Sequence, residues 1–169
     1  MAVLICFSGL PGVGKSTIAR RLSKKSGAIW LRLDEIETAM RKSHMKPVDL
    51  ADAGYAAAQV MAKAALSQGY LVIADCVNPV ALTREQWRKV SQDVGVAHLD
   101  ITVTCSDPVQ HRCRVETRKP DVSGQNLPTW DAVEQRCFEP FPQASLSIDT
   151  AETTVDDAVE IIWRQIKVL

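Results

Sequence analysis

A glycine-rich segment near the amino terminus has the residue types and spacing of a phosphate-binding loop (P-loop). It reads GLPGVGKST from Gly9 to Thr17 and matches the pattern G-x-x-x-x-G-K-S. Glycine permits the positive φ angles and the close approach that turn consecutive backbone N–H groups onto a polyphosphate. We expect the phosphates of a nucleoside triphosphate such as ATP to be bound by Gly9, Pro11, Gly12, Val13, Gly14, Lys15, Ser16 and Thr17.

Two side chains of this loop add a charge and a metal ligand. Lys15 supplies a positive charge at the start of a predicted helix, whose first N–H groups and dipole also favour an anion. We expect Ser16 to place its hydroxyl on a Mg²⁺ ion that bridges two phosphates. The structural alternative is a glycine turn that binds nothing.

Polar residues follow two of the predicted strands, at the edge of a parallel sheet where ligands bind. Asp34 follows the apolar run 28–33, and its carboxylate could accept the proton of an attacking hydroxyl. The alternative is that Asp34 only caps the next helix. Asp75 ends the run 70–75 and resembles a Walker B carboxylate that orients Mg²⁺, with a simple turn aspartate as the alternative. Asn78 lies just beyond Asp75.

Three arginines precede a polar segment that we expect to form a mobile lid. Phosphoryl transfer spreads negative charge over the γ-oxygens, and additional cations stabilise that charge. Arg114 and Arg118 lie one helical turn apart, so both could swing over the phosphates, whereas we expect Arg112 to be solvated. Residues 118–128 are rich in charged and turn-forming residues. We expect the lid to span roughly residues 112–130 and to exclude water when it closes.

Short apolar runs alternate with longer stretches of helical periodicity, which predicts βαβ units and an α/β fold with helices on both faces of a parallel sheet. The predicted strands are residues 2–7, 28–33, 70–75, 97–105 and 145–149. One predicted helix begins at Lys15, and a second covers about 18 residues after Asp49. Three more helices are predicted from Thr83 or Val80 to Val94, from Pro108 to Arg118 and from Val155 to Val168. The apolar positions of the helix after Asp49, which we expect to pack on the sheet, are Leu50, Ala53, Ala57, Val60, Met61 and Ala64.

Length and composition indicate an ordinary globular protein. The chain has 169 residues, of which 46% are apolar and 24% charged, and we expect one domain over residues 1–169. Lys plus Arg and Asp plus Glu both number 20, so no overall positive field attracts nucleic acid or an anionic membrane.

Targeting and cysteine patterns favour a cytoplasmic protein. The apolar start lacks a basic leader, and no stretch approaches the roughly 18 apolar residues of a membrane helix. Five cysteines lack paired spacing and three histidines lack metal-ligand spacing. We interpret them as reduced thiols and as histidines with structural or solvent-exposed roles.

Together these segments resemble the AAA_33-like group of P-loop kinases, which contains adenylylsulfate kinase, zeta-type toxins, chloramphenicol phosphotransferase and the phage-type polynucleotide 5′-kinase. The resemblance covers most of the chain. It rests on the P-loop, Leu33-Asp34-Glu35, Val72-Ile73-Ala74-Asp75 with Asn78, Cys105-Ser106-Asp107-Pro108, and Leu127-Pro128 before a helix that ends at Phe138-Glu139-Pro140. It implies a kinase with a five-stranded parallel sheet, in which Asp34 is the acceptor-side base and Arg114 and Arg118 are lid arginines.

One departure from the group bears on the acceptor. Many relatives carry an arginine three residues after the Asp34 position, where it can hold an anionic acceptor, and this chain has Glu37. A neutral or cationic small molecule therefore fits better, although Arg41 could substitute for the missing arginine. Two alternatives stay open: a polynucleotide 5′-hydroxyl kinase, and a nucleotide-binding ATPase module that acts through a protein partner.

Overall fold

Parallel strands alternate with helices along the chain and assemble into one sheet. The computed structural model describes residues 2–169. The strands are β1 (Val3–Ser8), β2 (Ile29–Arg32), β3 (Val72–Asp75), β4 (Ala97–Thr104) and β5 (Leu146–Asp149). The helices are α1 (Lys15–Ser26), α2 (Leu33–Arg41), α3 (Ala53–Ser67), α4 (Ala81–Val94), α5 (Pro108–Thr117), α6 (Trp130–Glu134) and α7 (Val155–Ile166).

The sheet has the order β2-β3-β1-β4-β5, and every neighbouring pair is parallel. This arrangement confirms the predicted five-stranded parallel sheet, and the predicted strand ends differ from the observed ones by at most two residues. All six residues of β1 are buried because the strand lies at the centre of the sheet with helices on both faces. The P-loop therefore starts from a fully buried strand.

Each face of the sheet packs against its own pair of helices. Val3, Ile5 and Phe7 of β1 face α1 and α7, whereas Leu4 and Cys6 face α3 and α4. This alternation follows from the two-residue period of a strand. Among the described residues, no helix is both long and apolar enough to cross a membrane.

The helix α3 buries a different face from the predicted one. Its buried positions are Gly54, Ala58, Ala62, Ala65 and Leu66. Val60 and Met61, which we expected to pack on the sheet, are 70% and 50% exposed. Because α3 is apolar around most of its circumference, its periodicity does not select one face. The small residues lie inside, where they allow close approach to the sheet and to α2 and α4.

Two predicted boundaries are also wrong. β2 ends at Arg32 and α2 begins at Leu33, so Asp34 lies in the first turn of a helix and not at a strand end. The helix after Leu127-Pro128 ends at Glu134 and does not reach Pro140. Beyond α6 the chain is irregular and carries Phe138 and Phe141, whose ring centroids lie 5.1 and 4.4 Å from the buried guanidinium of Arg84.

Candidate functional site

The P-loop connects the end of β1 to the first residue of α1. Gly9, Gly12 and Gly14 have φ angles of 148°, 87° and 102°, which other residues rarely adopt. A Cβ at Gly12 would lie 2.5 Å from the Val115 side chain, so close packing also requires a glycine there. The predicted need for glycine at these positions agrees with the geometry.

The side chain of Lys15 is buried beneath the P-loop and is only 7% exposed. Its ammonium donates to Gly9 O at 2.8 Å and to Leu10 O at 3.0 Å. Burial lowers the pKa of Lys15, and the nearby carboxylates of Asp75 and Asp34 oppose that change. The loop lysine therefore lies close to both carboxylates that the sequence singled out.

Asp75 lies at the carboxyl end of β3 and is buried beside the P-loop. Trp30 Nε1 donates to Asp75 Oδ2 at 3.2 Å. Burial raises the pKa of Asp75, against the lowering effects of the Lys15 ammonium and of the nearby Ser16 hydroxyl. Ser16 and Asp75 thus form a neighbouring hydroxyl and carboxylate, a donor set that suits Mg²⁺.

Asp34 is exposed in the first turn of α2. The N-cap position belongs to Arg32, so Asp34 is not the cap that the alternative interpretation required. Gln125 Nε2 donates to Asp34 Oδ2 at 2.8 Å, and Arg118 Nη2 lies 4.0 Å from the same oxygen. The carboxylate therefore lies between the P-loop side of the molecule and the segment predicted to form the lid.

One cleft of about 1290 Å³ joins these groups. From the P-loop it is lined by Pro11, Gly12, Gly14, Lys15, Ser16 and Thr17. The other predicted residues on its wall are Asp34, Asp75, Arg114 and Arg118. Gly9 and Val13 are buried behind this wall, where Val13 joins the hydrophobic core. Asn78 also turns inward, since its side-chain amide donates to Phe7 O at 2.9 Å.

The two predicted lid arginines point in different directions. Arg118 approaches Asp34, whereas Arg114 donates to Thr150 Oγ1 at 2.7 Å, to Thr150 O at 3.0 Å and to Gln110 Oε1 at 2.6 Å. Arg114 therefore contacts the segment after β5. The exposed Arg112 pairs with Glu116 at 2.8 Å, in agreement with its expected solvated position.

The segment 118–129, which we call the lid loop, lies against α2 and the end of β2. Arg32, 4% exposed, donates to both carboxylate oxygens of Asp121 at 2.8 Å. Lys42 contacts the carbonyl of Ser123. These contacts bring the lid loop over the side of the cleft that is farther from the P-loop.

Glu37 forms part of that same wall. Its side chain lies over Gly54 of α3, where an added Cβ would be 2.5 Å from Glu37 Cγ. Arg41 Nη1 is 3.4 Å from the carboxylate. Burial raises the pKa of Glu37, and the Arg41 charge opposes the increase. Arg41 is therefore engaged with Glu37, although it also lines the cleft.

Sequence reasoning missed two buried cationic or titratable side chains near the site. His111 on α5 lies 2.8 Å from Pro11 O through its Nε2 atom. Arg84 on α4 connects the turn after β3 with the segment after α6. It donates to four backbone carbonyls, those of Asn78, Pro79, Glu139 and Pro140. Neither residue belongs to a local motif, so only its position in the fold reveals its contacts.

A second polar cluster lies on the opposite face of the sheet from α1. Cys6, His98 and Asp100 place their ligand-type atoms within 4.8 Å of one another. Arg88 Nε lies 2.9 Å from Asp100 Oδ2 and balances its charge. The spacing of the histidines along the chain gave no indication of this cluster, because β1 and β4 bring it together.

A parallel sheet with a glycine-rich loop after its central strand, followed by a helix, defines the P-loop NTPase fold. The AAA_33 family model, which describes an AAA domain, matches residues 4–140, so the chain belongs to this family. The predicted membership in a P-loop kinase-like group is thereby confirmed. No curated protein matches the chain at a significant level.

Solved structures share this fold at low sequence identity. The APS kinase CysC of Mycobacterium tuberculosis in complex with AMPPNP and APS is 18% identical, with a TM-score of 0.64 over 98% of each chain. A tunicamycin resistance protein of Deinococcus radiodurans is 20% identical, with a TM-score of 0.68 over 98% of this chain and 96% of the other. A gluconokinase of Sinorhizobium meliloti 1021 is 16% identical, with a TM-score of 0.63 over 97% and 93%.

Proposed function

We propose that this protein is an ATP-dependent kinase that transfers the γ-phosphoryl group to a hydroxyl of a small molecule. The observation that carries the proposal is the position of Asp34, which faces the same cleft as Lys15 and Ser16 of the P-loop. A triphosphate in the P-loop and an acceptor beside Asp34 would then share one enclosed space. Two solved structures of this fold are named as kinases, which supports the same class of reaction.

Nucleotide binding is assigned to the P-loop. The backbone N–H groups of the loop and the first turn of α1 would surround the phosphates, with Lys15 as the nearby cation. Ser16 and Asp75 would hold Mg²⁺, which would neutralise part of the phosphate charge. Both side chains line the same cleft as Lys15, which supports their assignment as neighbours of one metal ion.

Asp34 is assigned as the base that receives the proton of the acceptor hydroxyl. Its carboxylate is exposed to the cleft, and Gln125 and Arg118 approach the oxygen that would take the proton. Gln125 and Arg118 both belong to the lid, so the lid contacts the carboxylate at which the hydroxyl would bind. We therefore propose that the lid, roughly residues 112–130, repositions when the acceptor binds.

The acceptor is proposed to be neutral or cationic. Two arginines of the acceptor wall are paired with carboxylates, Arg41 with Glu37 and Arg32 with Asp121. These pairs reduce the positive charge that an anionic group would find there. The same observation weighs against a polynucleotide 5′-hydroxyl, whose binding depends on cations that contact phosphates.

Two substitutions test the proposal. Lys15→Ala removes the loop cation, so we expect ATP binding by calorimetry to fall below detection. Asp34→Asn keeps the shape of the side chain but accepts no proton, so ATP should bind normally while acceptor-dependent ADP release falls at least about a hundredfold. If Asp34→Asn retained full transfer activity, the assignment of Asp34 as the base would be wrong.

The assay should screen metabolites and a 5′-hydroxyl oligonucleotide for acceptor-dependent ADP release with Mg²⁺ present. Release with the oligonucleotide alone would support the polynucleotide kinase instead. ATP hydrolysis that no acceptor changes, but a protein partner does, would support the ATPase module.

A further inference from the structure

The carbonyl of Pro11 in the P-loop is held by a histidine from another element. His111 Nε2 on α5 lies 2.8 Å from Pro11 O. A carbonyl only accepts, so Nε2 carries the proton and donates it. The ring of Trp130 in α6 contacts His111 edge to face, with centroids 5.1 Å apart and an interplanar angle of 89°. The imidazole is therefore buried and fixed in orientation behind the loop.

The carbonyl of Val13 is held in the same way by a hydroxyl. Thr150, just after β5, donates from Oγ1 to Val13 O at 2.8 Å, with Thr104 O at 3.0 Å as a second acceptor. Arg114 on α5 donates to the same hydroxyl oxygen at 2.7 Å. Because the hydroxyl accepts from Arg114, its single proton is left to donate to a carbonyl, and Val13 O is the nearer one.

Each of these carbonyls belongs to the peptide bond that precedes a P-loop glycine. In a planar trans peptide the C=O and N–H groups point in opposite directions. Fixing Pro11 O and Val13 O on the outer side of the loop therefore turns the N–H groups of Gly12 and Gly14 the other way, towards the cleft that both glycines line.

We propose that His111 and Thr150 are positioning residues that hold the Gly12 and Gly14 amides ready to bind a polyphosphate. The inference rests on the nucleotide site proposed above. The orientation of these two peptide groups has to be fixed by other residues, because glycine adopts positive and negative φ about equally readily. Without the two hydrogen bonds, either peptide can rotate and present its carbonyl oxygen to the phosphates, which repels them.

The first test compares two variants at position 111 and one control variant by calorimetry with inorganic tripolyphosphate and with ATP. His111→Leu removes the donor, and we expect affinity for both probes to fall about three- to tenfold, the range that one neutral hydrogen bond supports. His111→Gln places an amide N–H near the former Nε2 and should restore most of the affinity. His44→Leu alters an exposed histidine and serves as the matched control.

The second test uses amide NMR spectra of glycine-labelled protein titrated with tripolyphosphate. In the wild type we expect the Gly12 and Gly14 amide signals to shift downfield as they donate to the anion. His111→Leu should lose the Gly12 shift and keep the Gly14 shift, and Thr150→Val should do the reverse. Thr150→Ser, which retains the hydroxyl, should behave like the wild type. General loosening of the loop would change both signals together.

The outcomes separate this inference from the proposed function. If the wild-type protein binds neither ATP nor tripolyphosphate, the nucleotide site itself is wrong. If the wild type binds both, but His111→Leu and Thr150→Val bind as tightly with both amide shifts intact, only the positioning roles are wrong. Equal losses in His111→Gln and His111→Leu would also overturn the role of the histidine. If His111→Leu fails to fold, the comparison of Thr150→Val with Thr150→Ser still tests the positioning role.

Discussion

At position 54 the first turn of α3 carries a glycine, although alanine is the better helix former, by up to about 1 kcal/mol in a helix interior. The packing of Glu37 against the bare Cα explains this choice, since an added Cβ would lie 2.5 Å from Glu37 Cγ. The missing side chain thus lets a carboxylate occupy the acceptor wall. Glycine in a helix usually weakens a fold, and here it shapes a cleft.

Gly54→Ala should therefore destabilise the protein despite the gain in helix propensity. We expect a loss of about 1–3 kcal/mol in the free energy of unfolding by urea, typical of overpacking. In a Glu37→Ala background the same substitution should become neutral or stabilising by up to about 1 kcal/mol, because the clash is gone. An equal loss in both backgrounds would show that Glu37 is not the cause.

Single residues were predictable where they belong to a contiguous motif. The P-loop followed from local spacing, and so did the start of α5 at Pro108, which Asp107 caps by accepting from Val109 N and Gln110 N. His111 touches a residue 100 positions away in the sequence, and no spacing rule reports such a contact. Glu37 was noticed as a departure, but its contact with Gly54 depends on how α2 and α3 pack.

Among the secondary-structure elements, α3 allows a direct test of which of its faces packs on the sheet. Val60 is 70% exposed and Ala62 is fully buried. Val60→Gln should change the free energy of unfolding by no more than about 0.5 kcal/mol, as surface substitutions do. Ala62→Gln places a larger polar group in the core and should cost about 2 kcal/mol or more. A larger cost for Val60→Gln than for Ala62→Gln would indicate that the face first predicted from periodicity is the buried one.

The lid loop is held in part by a charge pair that acid can remove. The hydrogen bonds from Arg32 hold the pKa of Asp121 below its ordinary value of 3.8. A carboxylate whose pKa is lowered in the folded state stabilises that state at pH values above its pKa in the unfolded state. That contribution disappears as the pH falls through the lowered pKa. We expect hydrogen-exchange protection of the lid-loop amides, corrected for intrinsic rates, to decrease below pH 3.8.

Asp121→Asn provides the control for this acid effect. The amide cannot titrate, so its lid loop should already be less protected at pH 7 and should show no further loss in the acidic range that affects the wild type. Unchanged protection at pH 7 would mean that the charge pair does not hold the lid loop in place.

Elements were predicted where flanking residues mark their ends. Apolar runs bounded by glycine or by charged residues located the five strands, because buried central strands tolerate few polar residues. The end of α6 was not predictable in this way. The chain leaves the helix at Glu134, and beyond it two phenylalanines stack on Arg84, which lies some fifty residues earlier in the chain.

For the molecule as a whole, the main prediction is that nucleotide stabilises the fold. Ligand that binds only the native state raises the free energy of unfolding by about 2.7 kcal/mol at a hundred times its Kd. We expect MgATP to raise the melting temperature of the wild type and of Asp34→Asn alike. Lys15→Ala should show no such rise, and an equal rise in that variant would place the nucleotide elsewhere.

The strand order has a consequence for how the protein is made. β1 emerges early from the ribosome, yet its two neighbours in the sheet, β3 and β4, begin at residues 72 and 97. Thr150, which bonds to the carbonyl of Val13, follows much later still. The P-loop therefore takes its final shape only after β3, β4 and the segment at Thr150 have been translated, so its hydrogen bonds to later residues form late in folding.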